Sequence, residues 1–263
     1  MTQPRPVVLI SLSGAMDGGF TAIADVSPAM AAVGADQHRL IGGVTVMLHI
    51  QRLGLDLPLR ATGDADYGVP THLLKEPGLV AGIERRGYRK VRGNRWERPI
   101  DQRRVAAVDL LIPTYRTRAR HTVRVGDIVT TEAPGLAVAL QRPPVVIDAE
   151  FHLTDGTILH TDVVLPDAAG TLALKAGART VRTETRDAQD LWRCLEIAAA
   201  DGVTADLFTR PGPFNDVARI LHRELGPGGH SLPALTAELH PDAAARLRTR
   251  LRALLIEVVG INT

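Results

Sequence analysis

Every strand-like segment of this 263-residue chain lies before residue 166, and the segments after Pro166 carry helical periodicity. That segregation restricts the fold more than any single motif does. It implies an α+β protein, with a mixed sheet in residues 1–165 and a helical part in residues 166–263. Val105–Ile112 is an apolar run broken by one acid, Asp109. Val145–Leu153 and Thr157–Leu165 flank Asp155-Gly156 and read as a β-hairpin. Pro6–Ser13 reads as a short buried strand or helix, Gly14–Gly19 as a glycine-rich turn, and Ala22–Val33 as a helix that Pro28 interrupts or restarts. Arg39-Leu40-Ile41, Gly42-Gly43 and the nearly all-apolar Val44–Leu53 read as strand, turn and buried helix, with Gly54 at the C-cap. Thr71–Arg86 reads as a helix whose first half is disturbed by Pro77-Gly78. In all, four or five strands are expected. In the second half, Asp167 is placed to cap a helix starting near Ala168. Phe214–Leu225 and Pro241–Val259 read as amphipathic helices, the latter with Leu247, Leu251, Leu254 and Val258 on one stripe.

Composition enters mainly through what it excludes. The single cysteine, Cys194, rules out an internal disulfide and a thiolate zinc cluster, and its apolar surroundings make it a buried structural thiol. The nine histidines lack zinc-site spacing and read as structural or surface residues. No apolar run reaches the length of about 18 residues that a membrane span needs. Val7–Leu12 is too short for the core of a secretion signal, so a cytoplasmic protein without a membrane partner is expected.

The chemistry concentrates in Arg60–Tyr67. On an extended strand Asp64 and Asp66 point to one side, and converging carboxylates repel unless a cation sits between them. The same residues suit an ordinary polar turn, so the stretch alone leaves both readings open. Asp109 needs a partner of its own, because an unpaired buried carboxylate is costly. A salt bridge would serve, as would a metal ion shared with Asp64 and Asp66.

Two basic features complete the pattern. Glu84–Arg104 holds nine Arg or Lys residues against three acids, with Tyr88 and Trp96 among them. Such interleaving suits a nucleic-acid backbone and an unstacked base, and equally a solvated hairpin. Arg116, Arg118, Arg120 and Arg124 extend it. Farther on, Lys175, one of only three lysines, sits among small apolar residues; with Arg179, Arg182 and Arg186 it would form one basic stripe on a continuous helix. That stripe could neutralise phosphates, with Asp187 and Asp190 close by, or be an ordinary ion-paired helix face.

Taken in order, Gly42-Gly43, Asp64-x-Asp66 and Asp109 resemble the polymerase-beta-like nucleotidyltransferase superfamily. Leu174-Lys175-Ala176-Gly177-Ala178-Arg179 and Arg186-Asp187-Ala188-Gln189-Asp190-Leu191-Trp192 are similar to the lysine helix and the Arg/Lys-Asp-x-x-Asp-Leu signature of AbiEii-type (MenT-like) nucleotidyltransferase toxins. The resemblance implies Mg2+ bound by Asp64, Asp66 and Asp109, with Asp109 also positioning the attacking hydroxyl. It implies an NTP whose triphosphate meets the Gly42-Gly43 backbone and Lys175, with Asp187 catalytic beside Lys175. Thr62, Arg60 and Arg179 would lie near the incoming phosphates. Residues 1–165 become the nucleotidyltransferase domain, and residues 166–263 a helical domain completing the active site. The acceptor implied is RNA, typically the tRNA 3′ end, and the partner a cognate antitoxin. The chain departs from the superfamily in its long gap between Gly43 and Asp64, where Gly54–Leu59 reads as an insertion, and in Thr45, displaced by Val44 from the position just after the glycine pair. Two other functions fit the residues: transfer to a protein hydroxyl or small molecule, and a catalytically silent module that binds NTP or RNA.

Overall fold

β6 (Val105–Pro113) is the strand on which the main sheet is assembled, because its apolar run is buried on both faces for most of its length. A computed structural model of the protein describes residues 6–34, 36–116 and 119–260; Arg118 lies outside them. β3 (Ala65–Gly68) pairs with β6 in parallel, and β2 (Arg39–Ile41) joins β3 antiparallel. On the other side β5 (Arg95–Pro99) pairs with β6 antiparallel and carries β4 (Arg89–Arg92) as an edge strand. The far end of β6 pairs in parallel with β8 (Ile128–Ala133), which takes β7 (Val123–Val125) as a hairpin partner. A second sheet has the order β1 (Val7–Ile10), β9 (Val145–His152), β10 (Ile158–Leu165), with the anticipated β9–β10 hairpin across Asp155-Gly156. The α+β class is therefore as read from the sequence, and among the described residues ten strands are present, all before residue 166, against the four or five expected.

α1 (Gly14–Gly34) overturns one expectation. The glycines taken for a turn are its first residues, and the helix runs through Pro28 without a break. The reason is close packing: a Cβ on Gly18 would lie 2.2 Å from the Val105 carbonyl oxygen, and one on Gly19 3.2 Å from the Asp64 nitrogen. Glycine here lets a helix lie against β6 and the Asp64 loop. The Thr71–Arg86 segment divides into a 3₁₀ turn (Leu73–Lys75) and α3 (Pro77–Glu84). Pro77 opens the second piece and holds Glu76 extended, which ends the first.

α2 (Gly42–Arg52) explains its own all-round hydrophobicity. Val44, Met47 and Leu48 pack into the core under the sheet, while Val46 and Ile50 pack into a second core built from the C-terminal helices. Gly54 follows it with φ +62°, as a C-terminal glycine should. α4 (Leu136–Gln141) lies between β8 and β9. α5 (Ala168–Ala178) is buried on every side and is capped by Asp167, which accepts a hydrogen bond from the Gly170 amide at 2.8 Å. α6 (Thr185–Ala200) carries Leu191, Cys194 and Leu195 into the second core, which also receives α8 (Pro213–Leu225) and α10 (Pro241–Leu254). Short helices α7 (Asp206–Thr209) and α9 (Leu232–Thr236) link these. α10 widens into a π-helical turn over Leu255–Val259, which shortens the expected helix but keeps Leu251, Leu254 and Val258 buried. Among the described residues no helix is long and apolar enough to cross a membrane.

Candidate metal centre

Strand register assembles the site. Asp66 on β3 is paired with Asp109 on β6, and Asp109 with Arg95 on β5, so two acids and a base stand in a row across three strands. Asp64, just before β3, points to the same side as Asp66. Ala65 and Tyr67 alternate into the core, Tyr67 being held by a 2.9 Å hydrogen bond to Ser27. One carboxylate oxygen from each of Asp64, Asp66 and Asp109 lies within 4.8 Å of the others. The turn reading of Arg60–Tyr67 is thereby set aside for its acidic half.

The electrostatics are those of acids crowded without enough partners. Burial first, then the charges of Asp64 and Asp109, push the Asp66 carboxyl up to about 7. Burial also raises Asp109, against the opposing pull of Arg95. Arg95 Nη1 donates to Asp109 Oδ2 at 2.9 Å and lies 3.6 Å from Asp64 Oδ2. Thr62 donates its hydroxyl hydrogen to Asp64 Oδ1 at 3.3 Å, so it orients that acid. Among the described residues Asp66 has no hydrogen-bond donor, and three carboxylates are a hard-oxygen set of the kind Mg2+ takes. The residues present fit a divalent cation.

The opposite wall is cationic. Lys175 donates to Asp190 Oδ2 at 2.8 Å, and Asp190 also receives Arg60 at 2.9 Å and Arg193 at 3.0 Å. Burial works against the Asp190 charge, but Lys175 and Arg60 outweigh it and hold the carboxyl down at about 2. One acid thus anchors three cations. Asp187, in the first turn of α6, is 3 % exposed; its Oδ2 has no hydrogen-bond partner among the described residues and lies 3.6 Å from Arg182 Nε. The triad, Gly42, Gly43, Thr62, Lys175, Arg182, Arg186 and Asp187 line one cleft of about 570 Å³. A smaller pocket of about 290 Å³ adjoins it, sharing Gly42, Asp66 and Lys175 and walled by apolar residues including Leu111, Pro134, Leu174 and Val181. A cavity of about 600 Å³ between Leu225–Gly229 and α10 carries no acid and stands apart from this chemistry.

Gly42 and Gly43 begin α2, whose first turn has no side-chain cap. Gly42 has φ +84°, and a Cβ there would fall 2.3 Å from Asp66 Oδ2; one on Gly43 would fall 2.7 Å from Arg60 Nη2. The pair therefore makes room for the site's own side chains and leaves helix N–H groups free for an anion. Thr45 is buried and donates to the Leu40 carbonyl at 2.7 Å, so its hydroxyl is structural.

Three expectations need correction. Arg179 is not on the cleft wall: α5 ends at Ala178, and Arg179 turns to Glu224 (3.1 Å) and the Glu184 carbonyl (3.2 Å), tying α5 to α8. The basic stripe is accordingly divided between two helices, although Lys175, Arg182 and Arg186 still reach the cleft. Tyr88 and Trp96 are each 1 % exposed. Tyr88 donates to Asp25 at 2.8 Å and Trp96 belongs to the core, so neither ring is free to stack on a base. Arg95 is the site residue that the sequence reading did not single out, and Asp190 was read there without its role as the anchor of three cations. Arg95 was hidden among the other arginines of its segment, and Asp190 showed only as an acid returning to a cationic stripe. Compared with known proteins, the chain matches no family model, no curated protein and no solved structure.

Proposed function

We propose that the protein is an Mg2+-dependent nucleotidyltransferase that transfers NMP from an NTP to an RNA hydroxyl, in the manner of AbiEii-type toxins. One observation carries the reading: a triad of converging carboxylates shares a cleft with an uncapped helix N-terminus and a cationic wall. Asp64, Asp66 and Asp109 would hold the metal, which supplies charge neutralisation at the transferring phosphoryl group. Lys175, Arg182 and Arg186 neutralise the remaining phosphate charge, and the first N–H groups of α2 bind phosphate oxygens. The apolar pocket beside Gly42 and Asp66 suits the nucleobase. The acceptor oxygen attacks the α-phosphorus, its proton passes to a cleft carboxylate, and the α–β anhydride bond breaks to release pyrophosphate. Asp190 positions Lys175 and Arg60 without touching substrate.

RNA as acceptor is supported by the edge strand β4, whose Arg89, Lys90 and Arg92 are all exposed. Burial of Tyr88 and Trp96 favours a second reading, in which the acceptor is a protein hydroxyl or a small molecule. The toxin role and a cognate antitoxin rest on the resemblance of the motifs. Incubation with α-labelled NTP, Mg2+ and tRNA should label the RNA and release pyrophosphate, with Asp66→Asn and Asp109→Asn abolishing both. Label that appears without RNA selects the second reading. Absence of transfer with all four NTPs refutes the enzyme, and activity that survives both substitutions refutes the assignment of the metal ligands.

A further inference from the structure

Arg95 occupies an unusual place for a binding-cleft arginine. Strand pairing sets it beside Asp109, and its Nη1 reaches Asp109 at 2.9 Å and Asp64 at 3.6 Å. Its guanidinium therefore lies against two of the three carboxylates that would hold a divalent cation. Before any metal binds, it offsets the repulsion among those acids. A guanidinium and a divalent cation compete for the same oxygen lone pairs, and both are positive, so they exclude one another at short range.

Two further observations give the arginine another place to go. Its Nε donates to Glu97 Oε1 at 2.7 Å, an acid outside the triad that offers the guanidinium an alternative ion-pair partner. Its side chain keeps 25 % of its surface exposed, and a groove of about 280 Å³ opens beside it, lined by Arg92, Asn94, His121 and Thr122 and continuous with Asp109.

We propose that Arg95 is a displaceable counter-ion of the acidic triad: it fills the cation position while the site is metal-free and swings toward the groove when a divalent cation enters. This rests on the metal-centre reading above. Metal binding then proceeds against a tethered internal competitor, which raises the concentration at which the triad loads.

The test is Mn2+ binding to the full chain without nucleotide, followed by the paramagnetic signal of free Mn2+ and by calorimetry. Arg95→Ala should bind Mn2+ on the order of tenfold more tightly than wild type, the size of a typical coupling between competing ligands. Arg89→Ala, which removes an exposed charge from the neighbouring strand, should not. Mn2+ should also raise the melting temperature of Arg95→Ala more than that of wild type. Arg95→Gln, which loses the charge and keeps most of the volume, is expected to behave like the alanine variant and replaces it if that variant does not fold. Adding Asp66→Asn should remove Mn2+ binding in every background. If wild type and Arg95→Ala bind Mn2+ equally through Asp66, the metal centre stands and the counter-ion role is overturned. If no variant binds Mn2+, the metal centre itself is wrong and the counter-ion role falls with it.

Discussion

Asp66 is the residue on which the site's pH behaviour turns. In an unfolded chain its carboxyl titrates near the usual value of about 4; in the native cleft, burial and then Asp64 and Asp109 push it up to about 7. Between those values the native state holds a proton that the unfolded state has lost. Stability contributed by this group therefore falls as pH rises from about 4 to about 7, and the penalty is complete above that. Asp66→Asn is expected to stabilise the metal-free protein at pH 8 by a few kcal/mol, each kcal/mol raising the melting temperature by about 2–4 °C in a chain of this size. The difference should vanish near pH 4. Thermal melts in chelator at the two pH values check this. Because a bound cation must displace the same proton, metal affinity should rise with pH up to about 7.

At the scale of elements, the contact of α1 with β6 is the tightest constraint on the site. Gly18 faces the Val105 carbonyl and Gly19 the Gly63–Asp64 backbone, so the helix fixes both the start of the central strand and the loop that presents the first acid. A methyl group at residue 18 has no rotamer by which to avoid a backbone oxygen 2.2 Å away, so the helix itself must move. Gly18→Ala is expected to cost about 1–3 kcal/mol, as overpacking of a core does. A lower urea midpoint with an unchanged slope would record it. A neutral result would mean that α1 does not pack this closely on β6.

For the whole molecule, the decisive feature is that α2 belongs to two cores. Its N-terminus forms one end of the cleft, its Val44 and Met47 face the sheet, and its Val46 and Ile50 face the C-terminal helices. His49 is fully buried, with its Nε2 2.9 Å from the Pro166 carbonyl; burial, and then the Arg52 charge, push its pKa down to about 4, so it stays neutral. A fragment ending at Leu165 would expose the second face of α2 and lose Lys175 and Asp187 from the cleft, together with Asp190, which anchors Lys175. Such a fragment is expected to bind a hydrophobic dye and to show collapsed amide dispersion by NMR, whereas the full chain gives neither signature. A well-dispersed fragment spectrum would show that the sheet part folds by itself.

What the sequence by itself determined is local. The period-two spacing of Asp64 and Asp66, the solitary acid in β6, the cap at Asp167, the hairpin at Asp155-Gly156 and the buried Cys194, whose thiol burial pushes up to about 12, follow from the residues within a turn or a strand of each position. The tertiary structure alone decided which of several like residues meet. Nine basic residues crowd Glu84–Arg104, and only strand register selects Arg95 to stand beside Asp109. Lys175 and Arg179 are four residues apart, yet the end of α5 sends one to Asp190 and the other to Glu224. Tyr88 and Trp96 are interleaved with charge in sequence and buried in space, because β5 turns Trp96 inward and Asp25 on α1 claims the Tyr88 hydroxyl. Local patterning sets the conformation of each segment. Pairing between segments depends on packing and on the matching of buried charges across distances that no local pattern encodes.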